Sequence, residues 1–142
     1  MMKALYFLFF LLGVTFLVGC QNNSENTMVL LDEKVSEINV SPSNGVGDMN
    51  LDISLSLKDK KSVKVFEQAI KTATKQRSDV VNAKPDYDVM VEYEGGLPTH
   101  AIHLWLGEEG EKSTLMYMVG EGETYVTSSK MTSKLRKLIL SE

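Results

Sequence analysis

Between Tyr87 and Thr127 the sequence switches between alternating runs and turn formers every few residues, and that rhythm limits the folds open to the chain. Tyr87, Val89, Val91 and Tyr93 alternate with polar or half-polar neighbours, Glu94-Gly95-Gly96 interrupts them, and a second extended run goes from about Thr99 to Leu106. Gly107 to Lys112 reads as an acidic turn, Thr114 to Val119 as a third run, Gly120-Glu121-Gly122 as a tight turn, and Thr124 to Thr127 as a short last strand. Alternation turns one side of each strand to a core, and connections this short join antiparallel neighbours. The segment is an antiparallel meander.

Upstream, Met28 to Val40 holds further strand-like stretches, Val29-Leu30-Leu31 and then Val35, Ile38 and Val40, before the turn formers Ser41 to Asp48. Leu51, Ile53, Leu55 and Leu57 alternate strictly with Asp52, Ser54, Ser56 and Lys58, the clearest strand pattern in the chain. Asp59 can cap the helix that follows, where Val63, Phe66, Ile70 and Ala73 form one apolar stripe. Ser78 to Pro85 ends that helix, because the residue before a proline disfavours helical geometry. A closing helix from about Ser129 to Leu140 gathers Met131, Leu135, Leu138 and Ile139 on one side. The expected fold is α+β, a single twisted antiparallel sheet with two helices packed on one face.

A chain of 142 residues supports one such domain, and its 43% apolar content excludes a disordered or collagen-like polymer. The formal charge of -4 argues against nucleic acid as a partner. Cys20 is the single cysteine, so neither an internal disulfide nor a cysteine-type zinc site can form.

That cysteine ends a distinctive leader. Met1-Met2-Lys3 is a short basic start, and the run from Ala4 to Val18 is apolar apart from Thr15, with glycine only at Gly13. It is shorter than the roughly 20 residues of a spanning helix and gives way to Gln21-Asn22-Asn23. Leu17-Val18-Gly19-Cys20 resembles the lipobox of bacterial lipoproteins at every position. The resemblance implies a signal peptide over residues 1–19, diacylglycerol on the Cys20 thiol, and a mature protein anchored by lipid on the extracytoplasmic face of the cell membrane. Residues 20–28 then form a polar tether and 29–142 the folded domain.

A second resemblance covers roughly the C-terminal 80 residues. Val63 to Ile70, Pro85-Asp86-Tyr87-Asp88-Val89, Leu104-Trp105-Leu106, Thr124-Tyr125 and the closing helix are similar to small lipoproteins of Gram-positive bacteria with a YhfM-like domain. That resemblance implies location and domain extent but no activity.

Sites of chemistry are few. His100 and His103 are three apart on one predicted strand and point to opposite faces, so they share no metal. Asp86 with Asp88, and Glu92 with Glu94, are one strand period apart and line a solvated face unless a cleft raises one pKa. No nucleophile elbow or phosphate-cradling loop occurs, and no cofactor or metal is expected.

Two surfaces remain as contact candidates. The segment from Lys58 to Arg77 holds seven basic and two acidic residues, and about 100° per residue gathers Lys60, Lys64, Lys71 and Lys75 into a stripe able to face a membrane, or simply solvent. By contrast, Asp86 to Val126 holds nine acidic residues and one basic. If Ile102, Leu104 and Leu106 face the helices, His103 and Trp105 form an exposed patch on the opposite side; if the faces are inverted, Trp105 is core. The resulting expectation is a non-catalytic module that binds an envelope protein or a small or peptide ligand. The alternatives are an envelope enzyme using its acidic sheet face and a structural protein of the membrane surface.

Overall fold

The computed structural model describes residues 26–141. The lipobox residues Leu17, Val18, Gly19 and Cys20 lie outside them, as does the whole leader. Seven strands form one antiparallel sheet: β1 (Val35–Pro42), β2 (Leu55–Leu57), β3 (Thr74–Lys75), β4 (Tyr87–Tyr93), β5 (His100–Trp105), β6 (Ser113–Tyr117) and β7 (Thr124–Thr127). Their order across the sheet is β2-β1-β4-β5-β6-β7-β3, so the meander β4 to β7 is its centre. Helix α1 (Lys60–Lys71) joins β2 to β3, and helix α2 (Ser129–Ile139) closes the chain.

The register explains the core. Ile38 pairs with Val91 and Val40 with Val89, Val89 with Ile102 and Tyr87 with Leu104, and Leu104 with Leu115. Paired residues share a face, so these side chains form one apolar sheet surface. Val63, Phe66, Ala69 and Ile70 of α1 and Met131 and Leu135 of α2 are buried in the same cluster. The expected α+β architecture is observed. Asp59 caps α1 by accepting from the Ser62 amide at 2.9 Å, and Ser128 caps α2 through the Met131 amide at 3.2 Å.

Three local expectations need correction. The alternating run Leu51 to Leu57 pairs with β1 only from Leu55 to Leu57, while Leu51 is 73% and Ile53 45% exposed. The residues before Leu55 instead cross the edge of the sheet, held by the Ser41 hydroxyl donating to the Asn50 carbonyl at 2.6 Å. Secondly, α1 stops at Lys71, where the Thr72 amide and hydroxyl both bond the Gln68 carbonyl. Thr74 and Lys75 then pair with Val126 and Tyr125, so Lys75 belongs to an edge strand and not to the helical lysine stripe. Its ammonium pairs with Glu123.

Finally, Val29-Leu30-Leu31 is held by side chains and forms no strand. The Tyr117 hydroxyl donates to the Val29 carbonyl at 2.6 Å and accepts from its amide at 2.7 Å, and the Tyr93 hydroxyl accepts from the Leu31 amide at 3.2 Å. Chain entry is firm before that point: Met28 is buried and its amide donates to the Ala73 carbonyl at 3.2 Å, while Thr27 bridges Thr74.

Candidate functional site

The second face of the sheet is polar and covered. Asp88 and His103 are register partners on β4 and β5 and are both completely buried. The His103 ring nitrogen Nδ1 lies 2.9 Å from Asp88 Oδ1. Its Nε2 accepts from the Gly47 amide at 3.2 Å, and Asp88 Oδ2 accepts from the Asn50 amide at 2.9 Å. An Nε2 that accepts carries no hydrogen, so the ring proton sits on Nδ1 and is donated to Asp88. Trp105 stacks edge-on against His103, with centroids 6.1 Å apart, and donates its indole N–H to the Ala83 carbonyl at 2.9 Å.

His103 and Trp105 therefore form no exposed contact patch. They lie on the side opposite Ile102 and Leu104, as one of the two sequence readings had it. Two connections cover them, residues 43–53 over Asp88 and His103 and residues 76–86 over Trp105 and Thr114, whose hydroxyl meets that of Ser78 at 3.0 Å. Burial of an Asp–His pair is tolerable only when its hydrogen-bonding capacity is met, and here chain atoms meet it. The arrangement ties down a loop, and the nitrogen that a general base would use is taken.

The remaining acidic candidates are likewise engaged. Asp86 accepts from the Leu106 amide at 2.8 Å, Glu92 from the Thr99 hydroxyl at 3.1 Å, and Glu94 pairs with Lys34 at 2.8 Å. His100 lies on the helix-facing side, away from His103, with Nδ1 2.6 Å from the Tyr93 hydroxyl. Burial pushes its imidazole below the ordinary histidine range and pushes the Tyr93 phenol up. Among the described residues no group of three or more His, Cys, Asp or Glu could hold a metal ion, and no helix is long and apolar enough to cross a membrane.

The open site is on the other side of the molecule. Where α1 packs on α2, a groove of about 510 Å³ runs between them, with Val65 and Leu138 in its floor and Lys61, Lys64, Lys134 and Lys137 around it. No carboxylate lines it, and among the described residues none of these four ammonium groups forms an ion pair. Arg136 points elsewhere, to Glu108 and Glu109. Of the predicted stripe, Lys64 borders this groove and, with Lys60, a neighbouring hollow that also contains Glu67 and Glu94, whereas Lys71 pairs with Glu67. The sequence already marks both helices as basic, the closing one through Lys130, Lys134, Arg136 and Lys137, against acidic strands; it did not single out Lys61 or the groove, because that depends on how the helices pack.

A family model described as YhfM protein matches residues 22–142. No curated protein matches the chain in sequence. Among solved structures, the crystal structure of a thioesterase-like protein from Clostridium sporogenes ATCC 15579 is similar, with a TM-score of 0.56 at 16% identity, over 76% of this chain and 96% of that one. At that identity the likeness is one of fold.

Proposed function

The chain belongs to the YhfM protein family, and from that premise we propose that it is a lipid-anchored extracytoplasmic protein whose domain works by binding an acidic component of the cell envelope, without catalysis. Cys20 carries the anchor after removal of residues 1–19, and the polar segment that follows connects lipid to domain. The apolar leader and Leu17-Val18-Gly19-Cys20 support the anchor, and the family match begins two residues beyond that cysteine. Two acyl chains give stable anchoring where one is marginal.

The observation that carries the binding role is the groove between α1 and α2, where four lysines form no ion pair among the described residues and surround an apolar floor. Charges left unanswered within a fold are available to a partner. A non-catalytic role is supported by the Asp88–His103 pair, whose ring nitrogens are both occupied by the chain. The fold likeness to a thioesterase-like protein concerns architecture and adds no reacting group.

Expression of the full chain in a Gram-positive host with radiolabelled palmitate tests the anchor. The wild type should be labelled and sediment with membranes, and Cys20→Ala should lose both; an unlabelled wild type would overturn the reading.

A further inference from the structure

We infer that the groove between α1 and α2 is a headgroup-binding face that seats on the anionic lipid of the membrane holding the anchor; this rests on the reading just given. Three observations carry it. The first is charge complementarity: Lys61, Lys64, Lys134 and Lys137 surround the groove without a carboxylate, and Val65 and Leu138 give it an apolar floor. That combination matches phosphate headgroups above glycerol and acyl carbons, and a lysine near an anionic surface multiplies partition by about fivefold.

The second is the reach of the chain. From Cys20 to Met28 there are eight peptide steps, which extend at most about 29 Å whatever their conformation. Met28 is bonded to Ala73, just past the end of α1. Gln68 and Lys61, the α1 residues of the groove nearest to and farthest from that end at Lys71, lie about 5 and 15 Å along the helix at 1.5 Å per residue. The groove thus remains within tether range of the bilayer, and binding there is effectively intramolecular.

The third is the asymmetry of the domain. Residues 86–126 carry nine acidic groups and one basic. Asp88 is buried, and Glu94, Glu108, Glu109 and Glu123 pair with cations. The acidic groups left over, Asp86, Glu92, Glu111 and Glu121, are repelled by an anionic surface that attracts the groove lysines. An acidic protein could answer the lysines too, but it would have to compete with a lipid surface that the anchor keeps permanently adjacent.

The test uses the full acylated chain carrying Gln68→Cys on the groove wall, labelled with an environment-sensitive fluorophore and placed on vesicles; Ser62→Cys serves if the first variant does not fold. On vesicles containing phosphatidylglycerol the probe should shift to the blue relative to pure phosphatidylcholine. The shift should vanish near 1 M salt, where the Debye length is about 3 Å. Adding Lys64→Gln and Lys134→Gln should lower the ratio of seated to unseated groove on phosphatidylglycerol vesicles by roughly 25-fold. Identical spectra on the two vesicle types would overturn the inference, as would an equal shift produced by soluble glycerol phosphate without vesicles or seen only after adding an acidic envelope protein. Flotation with pure phosphatidylcholine reads the anchor separately: a chain that floats there while its probe stays unshifted on phosphatidylglycerol vesicles sinks the groove assignment alone, and a chain that fails to float while its probe shifts on phosphatidylglycerol vesicles sinks the anchor alone.

Discussion

The buried Asp88–His103 pair and the lysine groove are both clusters of charged or titratable side chains, yet the fold treats them in opposite ways. At the first, the Gly47 and Asn50 amides close every open position and a loop seals the pair from water. At the second, four cations stand around an open groove, and none of them forms an ion pair within the described chain. Polar groups whose partners lie within the chain act on the fold, and groups whose partners are missing from it are free to act on something else. Residue types alone would have favoured the histidine, the carboxylate and the tryptophan as the working site.

The largest effect should come from breaking the closed cluster. Asp88→Ala removes the acceptor of both the His103 proton and the Asn50 amide inside the protein, and should lower unfolding free energy by about 3–5 kcal/mol in urea titrations. A loss below about 1 kcal/mol would mean that the pair is not sealed. Asp59→Ala, which removes the cap of α1 but leaves the groove residues in place, should lower the urea midpoint by less than Asp88→Ala does. If it also loosened the groove probe, groove shape would depend on the first turn of α1.

A smaller effect is expected with pH. Burial holds the folded-state pKa of His100 below its ordinary value of about 6.5. The unfolded chain therefore takes up a proton on this residue first as pH falls, and the stabilisation present above that value is lost on acidification through it. His100→Gln should flatten the fall in stability between about pH 7 and pH 5; an unchanged slope would move the cause to another group. The smallest stability change belongs to the open cluster, where Lys64→Gln with Lys134→Gln should alter unfolding free energy by less than about 0.5 kcal/mol. A larger loss would show that these lysines hold the fold and are not reserved for a partner.

Much of the architecture was legible because it is written in local patterns. Strands β4 to β7 follow from alternation and glycine turns, α1 from a cap followed by an apolar stripe, and α2 from its apolar stripe alone. Alternation misled at Leu51 to Ile53, since a period of two cannot distinguish a strand from an extended cover that lacks a ladder partner. Lys75 left the predicted stripe because an open edge of β7 was available to Thr74 and Lys75. For His103 and Trp105 the parity of the strand put both on the face opposite Ile102 and Leu104 but left open which face met the helices, and exposure depended on two connections whose path no local pattern encodes. The groove was hidden for the same reason: Lys64 and Lys134 are seventy residues apart and meet only through helix packing.

The central claim, that the groove and not the His103–Trp105 face is the contact surface, is tested most directly by maleimide reactivity of single cysteines on intact cells. Gln68→Cys marks the groove, and Met90→Cys the half-buried outer side of the polar sheet face. Gln68→Cys should be protected on cells and become reactive after detergent solubilisation in high salt, while Met90→Cys reacts alike in both states. Protection at Met90→Cys with free reaction at Gln68→Cys would contradict the account.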